Sequence, residues 1–354
     1  MTQANIRHTV NLTQAADLIL ACPNNRFMLQ GEPGIGKSSI IKMLKAKTNY
    51  ATAYIDVPNM DLGDIAMPII DHETKTTRYY PNGRFQFHLG KPVIIMLDEF
   101  SKGADPVKNM LHPLLEVHNP RLGDVPVPLG SLVFLTGNLS SDNVGDGLKA
   151  HTKMRLTVIE VTKPTAKEWL LWAADNDIAP VVMAWVDRNP ECLASYRDGD
   201  QQGNPYIFMP NVVQGAVVTP RTLELASNII KMRDLFDSVA LHAALVGTIG
   251  AAAATSLAAF IAHQDSLPPW RDMIEHPRTT DVPKDPGALA VLVFNAIQRV
   301  ERGTLPQFLD YISRAEEEWS VLFGTTLARD KNKRQMAFSC KAFADWAREN
   351  EDLL

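Results

Sequence analysis

Apolar runs punctuate the first half of the chain: Phe27-Met28-Leu29, then Ala51 to Val57, which Thr52 and Asp56 interrupt, Val93 to Leu97 and Leu132 to Leu135. A run that does not alternate with polar residues suits a strand buried on both faces, as in a parallel sheet. Met154 to Val161 reads as a further strand with Arg155 at its head. Between the runs the spacing changes to that of helices. Leu12, Ala16, Ile19 and Leu20 follow a capping candidate at Asn11, Ile40, Ile41 and Leu44 predict a helix to about Lys47, and Met110 to Val117 is amphipathic. Strand and helix in alternation predict an α/β fold, a parallel sheet flanked by helices.

Past Pro164 the pattern is helical. Ala166 to Ala173 opens it, Thr219 and Pro220 supply the cap and first turn of another helix, and Val239 to Ile261 is a long alanine-rich apolar stretch. Gly247 and Gly250 in that stretch suit close helix packing, so a buried helical hairpin or long core helix is expected rather than a membrane span. Helical spacing returns at Phe308, Ile312, Ala315, Trp319 and Leu322, beyond a proline-rich connector from Leu267 to Pro286. The expected division is residues 1–164, a helical segment 165–264 with a loop insertion at about 195–218, and a C-terminal helical region 265–354.

The chemistry sits at the ends of the apolar runs. After the first comes Gly31-Glu32-Pro33-Gly34-Ile35-Gly36-Lys37-Ser38, with Ser39 beyond it, the G-x-x-x-x-G-K-[ST] pattern between strand and helix. Glycines let backbone N–H groups converge on phosphate oxygens, and the helix that follows points its positive end at the same anion. Lys37 would reach the β- and γ-phosphates and the Ser38 hydroxyl would ligate Mg²⁺. The third run ends in Asp98-Glu99, at the sheet edge where parallel folds place ligands. There Asp98 would hold the Mg²⁺ shell and Glu99 would polarise an attacking water. The fourth run ends near Asn138, whose amide would orient that water from the opposite side. The loop Asp142 to Gly147 lacks the calcium-binding pattern.

Composition narrows the class. Forty acidic against 35 basic residues give a formal charge of −5, no electrostatic reason to expect nucleic acid as main partner. Cys22, Cys192 and Cys340 are far apart and odd in number, as in reduced thiols of a cytoplasmic protein. The opening Met1 to Arg7 has no long apolar run, so no signal peptide is expected.

Taken in order, these motifs resemble the AAA+ ATPases, and within them the MoxR-like group. The phosphate loop, the acidic strand end, a first sensor at Asn138 and a second at Thr219-Pro220-Arg221 follow the family's sequence of parts. Asp98-Glu99-Phe100-Ser101-Lys102-Gly103-Ala104 is similar to the family's Asp-Glu-Ile-Asn-Arg-Ala. The family's inserted hairpins correspond to about 66–90, where Ile69-Ile70 and Tyr79-Tyr80 flank a polar turn, and about 119–128. The resemblance covers Asn11 to Lys231. It implies an ATP-hydrolysing homo-oligomer, usually a hexameric ring, in which a neighbour's arginine reaches the γ-phosphate. Arg155 best matches that arginine, with Lys149 and Lys153 nearby, and Arg221 matches the lid residue that reaches back to nucleotide. It further implies chaperone-like remodelling of a protein complex, often with a partner bearing a von Willebrand factor A domain. Two other readings stand beside it. Arg78, Arg84, Lys91 and Arg121 would serve a nucleic-acid motor or loader, and a nucleotide-gated switch would need no water-activating Glu99.

Overall fold

A computed structural model describes residues 9–139, 150–210 and 212–353. The chain divides into two compact units, Met1–Lys163 and Pro164–Leu354.

The first unit opens with β1 (Thr9–Val10), α1 (Leu12–Ala21), β2 (Phe27–Gln30), α2 (Ile40–Thr48) and β3 (Ala51–Asp56). There follow β4 (Ala66–Asp71), β5 (Thr76–Pro81), β6 (Val93–Asp98), α3 (Asp105–Leu111), β7 (Arg121–Leu122) and β8 (Val125–Pro126). It closes with β9 (Leu132–Gly137), α4 (Ala150–Lys153) and β10 (Thr157–Val161). Six of the strands form one parallel sheet in the order β1-β10-β2-β9-β6-β3. The unbroken apolar runs are explained by its two covered faces. Ile94 and Met96 of β6 pack with Leu132 and Phe134 of β9 against Ala16, Ile19, Ile40 and Leu44 of the first two helices. Ile95, Leu97, Val133 and Leu135, the alternate residues, pack on the other face with Phe85, Phe100, Leu111 and Leu114.

The two expected hairpins are present as β4–β5 and β7–β8. They are joined: the Asp124 N–H donates to the Tyr79 carbonyl at 2.9 Å, and the Tyr79 N–H donates to Asp124 Oδ2 at 2.8 Å. Three expectations need correcting. Phe27 to Gln30 is not the first strand, because Thr9–Val10 adds a short parallel pair to β10 at the sheet's edge. The helix expected over Met110 to Val117 starts earlier, at Asp105, and tightens into a 3-10 turn over His112–Leu115, where Pro113 lacks the N–H an α-helix needs. The strand expected from Met154 begins only at Thr157; Arg155 lies in the turn after α4, its N–H bonded to the Thr152 carbonyl.

The second unit is helical: α5 (Ala166–Ala174), α6 (Pro180–Arg188), α7 (Pro220–Lys231), α8 (Ser238–Ile249), α9 (Ala251–Asp265), α10 (Trp270–Glu275) and α11 (Pro286–Arg299). Then come α12 (Leu305–Ile312), α13 (Glu317–Arg329), α14 (Arg334–Phe338) and α15 (Lys341–Glu349). Buried apolar residues from Trp169 to Ala347 form one cluster, so helices before and after the proline-rich connector share a core. Its centre is α11, which packs on α6, α9 and α13 and buries every residue from Ala288 to Phe294. The connector itself carries α10. The apolar stretch from Val239 is two helices that meet at Gly250, whose φ of +85° no helix continues through. Gly247 serves no close packing: a side chain there would meet open space. Among the described residues no helix is long and apolar enough to cross a membrane.

Candidate nucleotide site

The strand order places three loop-bearing ends side by side. β2, β9 and β6 are neighbours and parallel, so the segments after Gln30, Gly137 and Asp98 all leave from the same, carboxyl, edge of the sheet.

The segment after β2 is the glycine-rich loop. Ile35 is buried beneath it and anchors it, Glu32 is buried as well, and Pro33 and Ser38 are half-buried. Gly36 has φ +97°, a left-handed conformation that a side chain resists. At the other end of the loop a Cβ on Gly31 would sit 2.8 Å from the Val161 carbonyl oxygen, so the base of the loop packs on β10. The chain then enters a 3-10 turn, Lys37–Ser39, that runs into α2. Ser39 Oγ donates to the Gly36 carbonyl at 2.7 Å and closes the turn. Lys37 folds back over the loop. Its Nζ donates to the carbonyls of Gly31 at 2.7 Å and Glu32 at 2.9 Å and to Asn138 Oδ1 at 3.3 Å. That last contact joins the loop to the residue after β9. Asn138 itself is buried.

Asp98 ends β6 with both carboxylate oxygens engaged. Thr136 Oγ1 donates to Oδ1, and the Tyr54 hydroxyl donates to Oδ2 at 2.6 Å. Thr136 Oγ1 also accepts the Glu99 N–H at 3.2 Å, so one buried hydroxyl ties both acidic residues to β9. Glu99 adopts φ +48°, uncommon for a residue with a side chain and a conformation that concentrates at functional sites. Its carboxylate pairs with Lys102 Nζ at 2.8 Å.

The structure therefore brings Lys37, Asn138, Asp98 and Glu99 to one sheet edge, linked through Lys37–Asn138 and through Thr136. Arg155 is not with them. It precedes β10, at the amino edge of the sheet, where its guanidinium meets Glu116 Oε1 at 3.2 Å and His112 Nε2 at 3.4 Å. Lys153 is exposed at the end of α4, and Lys149 lies outside the described residues, as does the loop Asp142 to Gly147. Arg221 belongs to the second unit. It is exposed on the first turn of α7, whose cap Thr219 accepts the Thr222 N–H while Thr222 Oγ1 accepts the Thr219 N–H.

Thr136 and Tyr54 were not singled out by the sequence. A lone hydroxyl at the end of an apolar run would have marked Thr136. Nothing local marks Tyr54, 44 residues before its partner. Nothing along the chain marks Arg26 either: it is 4% exposed and donates to the carbonyls of Leu114, Pro23, Asn24 and Glu116. Burial pushes its guanidinium below the ordinary value. It lies at the start of β2, away from the loop, and its work is structural.

The family described as AAA domain, dynein-related subfamily, matches residues 26–126. Among solved structures, a proposed ATPase of Cytophaga hutchinsonii is similar at 18% identity and TM-score 0.35 over 47% of this chain; the chain spans about half, 51%, of that protein's length. NtrX of Brucella abortus, solved in complex with ADP, is similar at 14% identity and TM-score 0.41, over 97% of this chain and 67% of that one. No curated protein matches. The family match takes in the loop after β2 and the Asp98-Glu99 pair, so over residues 26–126 this chain is similar to the AAA domain of AAA+ P-loop ATPases.

Proposed function

We propose that this protein is a Mg²⁺-dependent ATPase of MoxR type that works as an assembled ring, remodelling or activating a partner protein complex. The observation that carries the reading is the meeting of Lys37, Asn138 and the Asp98-Glu99 pair at the carboxyl edge of three adjacent strands.

Each residue's part follows from its surroundings. Loop N–H groups between Gly31 and Ser38 receive phosphate oxygens, and the Lys37 ammonium exchanges its carbonyl partners for the β- and γ-phosphates. Ser38 Oγ and Asp98 form an all-oxygen donor set, which fits a hard divalent cation. When bound, Mg²⁺ neutralises charge on the phosphates. Glu99 takes the proton of the attacking water, and Asn138 fixes that water's orientation. Arg155, at the far edge of its own sheet, serves a neighbour's site, so turnover depends on assembly. Arg221 links nucleotide state to movement of the helical unit. A hexameric ring, a partner with a von Willebrand factor A domain and a cytoplasmic location belong to the same reading.

The test is steady-state ATP hydrolysis against protein concentration, with particle size followed by light scattering. Glu99→Gln should lower turnover about 100-fold or more while ATP binding is kept. Arg155→Ala should be inactive alone and regain activity when mixed with Glu99→Gln, since each supplies what the other lacks. A parent that stays monomeric and hydrolyses ATP no faster than Glu99→Gln would sink the proposal.

A further inference from the structure

The Asp98 carboxylate receives one of its two hydroxyl donors from Tyr54, a half-exposed residue of the edge strand β3. Along β3, Ala53 and Ile55 are buried while Tyr54 between them is 52% exposed. Tyr54 is thus half-exposed on an edge strand, on the face opposite the buried Ala53 and Ile55. In the β3–β6 register Asp56 stands opposite Asp98, and Tyr54 opposite Met96. Tyr54 is therefore the diagonal neighbour of Asp98 on the same face, a separation long aromatic side chains span. Its hydroxyl does so, donating to Oδ2 at 2.6 Å, while Thr136 holds Oδ1.

We propose that Tyr54 is a positioning residue for divalent-cation binding. A carboxylate offers about four acceptor sites; the two hydroxyls take two and fix the group's rotation. The remaining acceptors are then presented in one orientation to a cation or its bound waters, and no side-chain freedom is lost at the moment of binding. This rests on the reading of Asp98 as a cation-holding residue.

The experiment titrates the full chain with Mn²⁺ in the presence of saturating ADP, free Mn²⁺ being read by electron paramagnetic resonance. Tyr54→Phe, Asp98→Ala and the double variant are compared with the parent, and ADP affinity without metal and thermal midpoint are measured for each. Tyr54→Phe should weaken Mn²⁺ binding about tenfold, the scale of groups that orient metal ligands. Its metal-free ADP affinity and thermal midpoint should match the parent's, and the double variant should bind no more weakly than Asp98→Ala alone. A loss under threefold for Tyr54→Phe beside a large loss for Asp98→Ala overturns the Tyr54 role and leaves Asp98 standing. Losses that add in the double variant overturn it as well. Parent-like Mn²⁺ binding by Asp98→Ala would remove the reading of Asp98 itself, and the proposal with it. Should Asp98→Ala fail to fold, the contrast between metal-bound and metal-free ADP affinity in Tyr54→Phe decides the matter.

Discussion

Each unit contains a lysine folded over backbone carbonyls, and the two are put to different use. In the α/β unit Lys37 lies on Gly31 and Glu32 of a glycine-rich loop and on the Asn138 amide. In the helical unit Lys333 donates to the carbonyls of Ile297, Gln298 and Val300, which end α11. The last carbonyls of a helix have no partner within it, and a cation there also meets the negative end of the helix dipole. Lys333 therefore completes the core helix it caps, and burial pushes its ammonium below the ordinary value. The partners of Lys37 are two loop carbonyls and a side-chain amide, none of them a helix end. One contact set closes a helix end, and the other lies over a glycine-rich loop. Lys333 closes the structure of its own unit, whereas Lys37 stands on the loop where the proposed nucleotide would take it.

Substitutions should separate these uses, and the largest effect is expected at Lys37. Lys37→Ala should weaken ATP binding by about 100-fold or more while the thermal midpoint stays near the parent's, measured by nucleotide titration and calorimetry. Lys333→Ala should do the reverse, costing about 2 kcal/mol of stability through unpartnered carbonyls with nucleotide affinity kept within twofold. If Lys333→Ala lost nucleotide binding and not stability, the contrast would collapse.

Arg26 tests whether a buried cation in the α/β unit also behaves structurally. Arg26→Met leaves four carbonyls without their donor and should cost about 3 kcal/mol in denaturant unfolding, with nucleotide affinity in the folded protein unchanged. Thr136→Val keeps the shape of a fully buried side chain but strips the Glu99 N–H and Asp98 of their shared hydroxyl. About 2 kcal/mol should be lost by the same measurement. Metal-dependent turnover should fall too, because both acids lose their tether.

The smallest effect is expected in the helical unit, at Asp187 of α6. Burial pushes its carboxyl above the ordinary 3.8, with Arg188 opposing and Glu318 adding to the rise. Between 3.8 and that raised value the folded chain holds a proton the unfolded chain has released, so stability falls as pH climbs through this range. Asp187→Asn removes the penalty. It should gain about 1 kcal/mol at pH 7, and the gain should shrink as pH falls toward 3.8, read from urea midpoints at each pH. A gain independent of pH would mean the carboxyl is not the cause.

What the sequence determined by itself was whatever depends on neighbours along the chain. Burial on both faces demands apolar residues at every position of a strand, so Phe27–Leu29, Val93–Leu97 and Leu132–Leu135 announced a parallel sheet. The glycine-rich loop is legible because its glycines, Lys37 and Ser38 fall within one short stretch of backbone, and Asp98-Glu99 because an acidic pair ends an apolar run. Local signals blur at boundaries. Thr9–Val10 is too short to show a period, and Met154 to Leu156 continues an apolar-looking run that the backbone breaks with a turn. Gly247 suits close packing by its size, but the same smallness fits an exposed helix face, which is where it lies. Only the tertiary structure decided which strand ends become neighbours. That order sets β9 between β2 and β6, and so gives Thr136 to both acids and Asn138 to Lys37. It also sets Tyr54 beside Asp98, Arg26 beneath the turn after α3, and Lys333 on the end of α11. These partners stand 44, 88 and 36 residues apart, and no periodicity along the chain encodes a contact made only when whole elements pack.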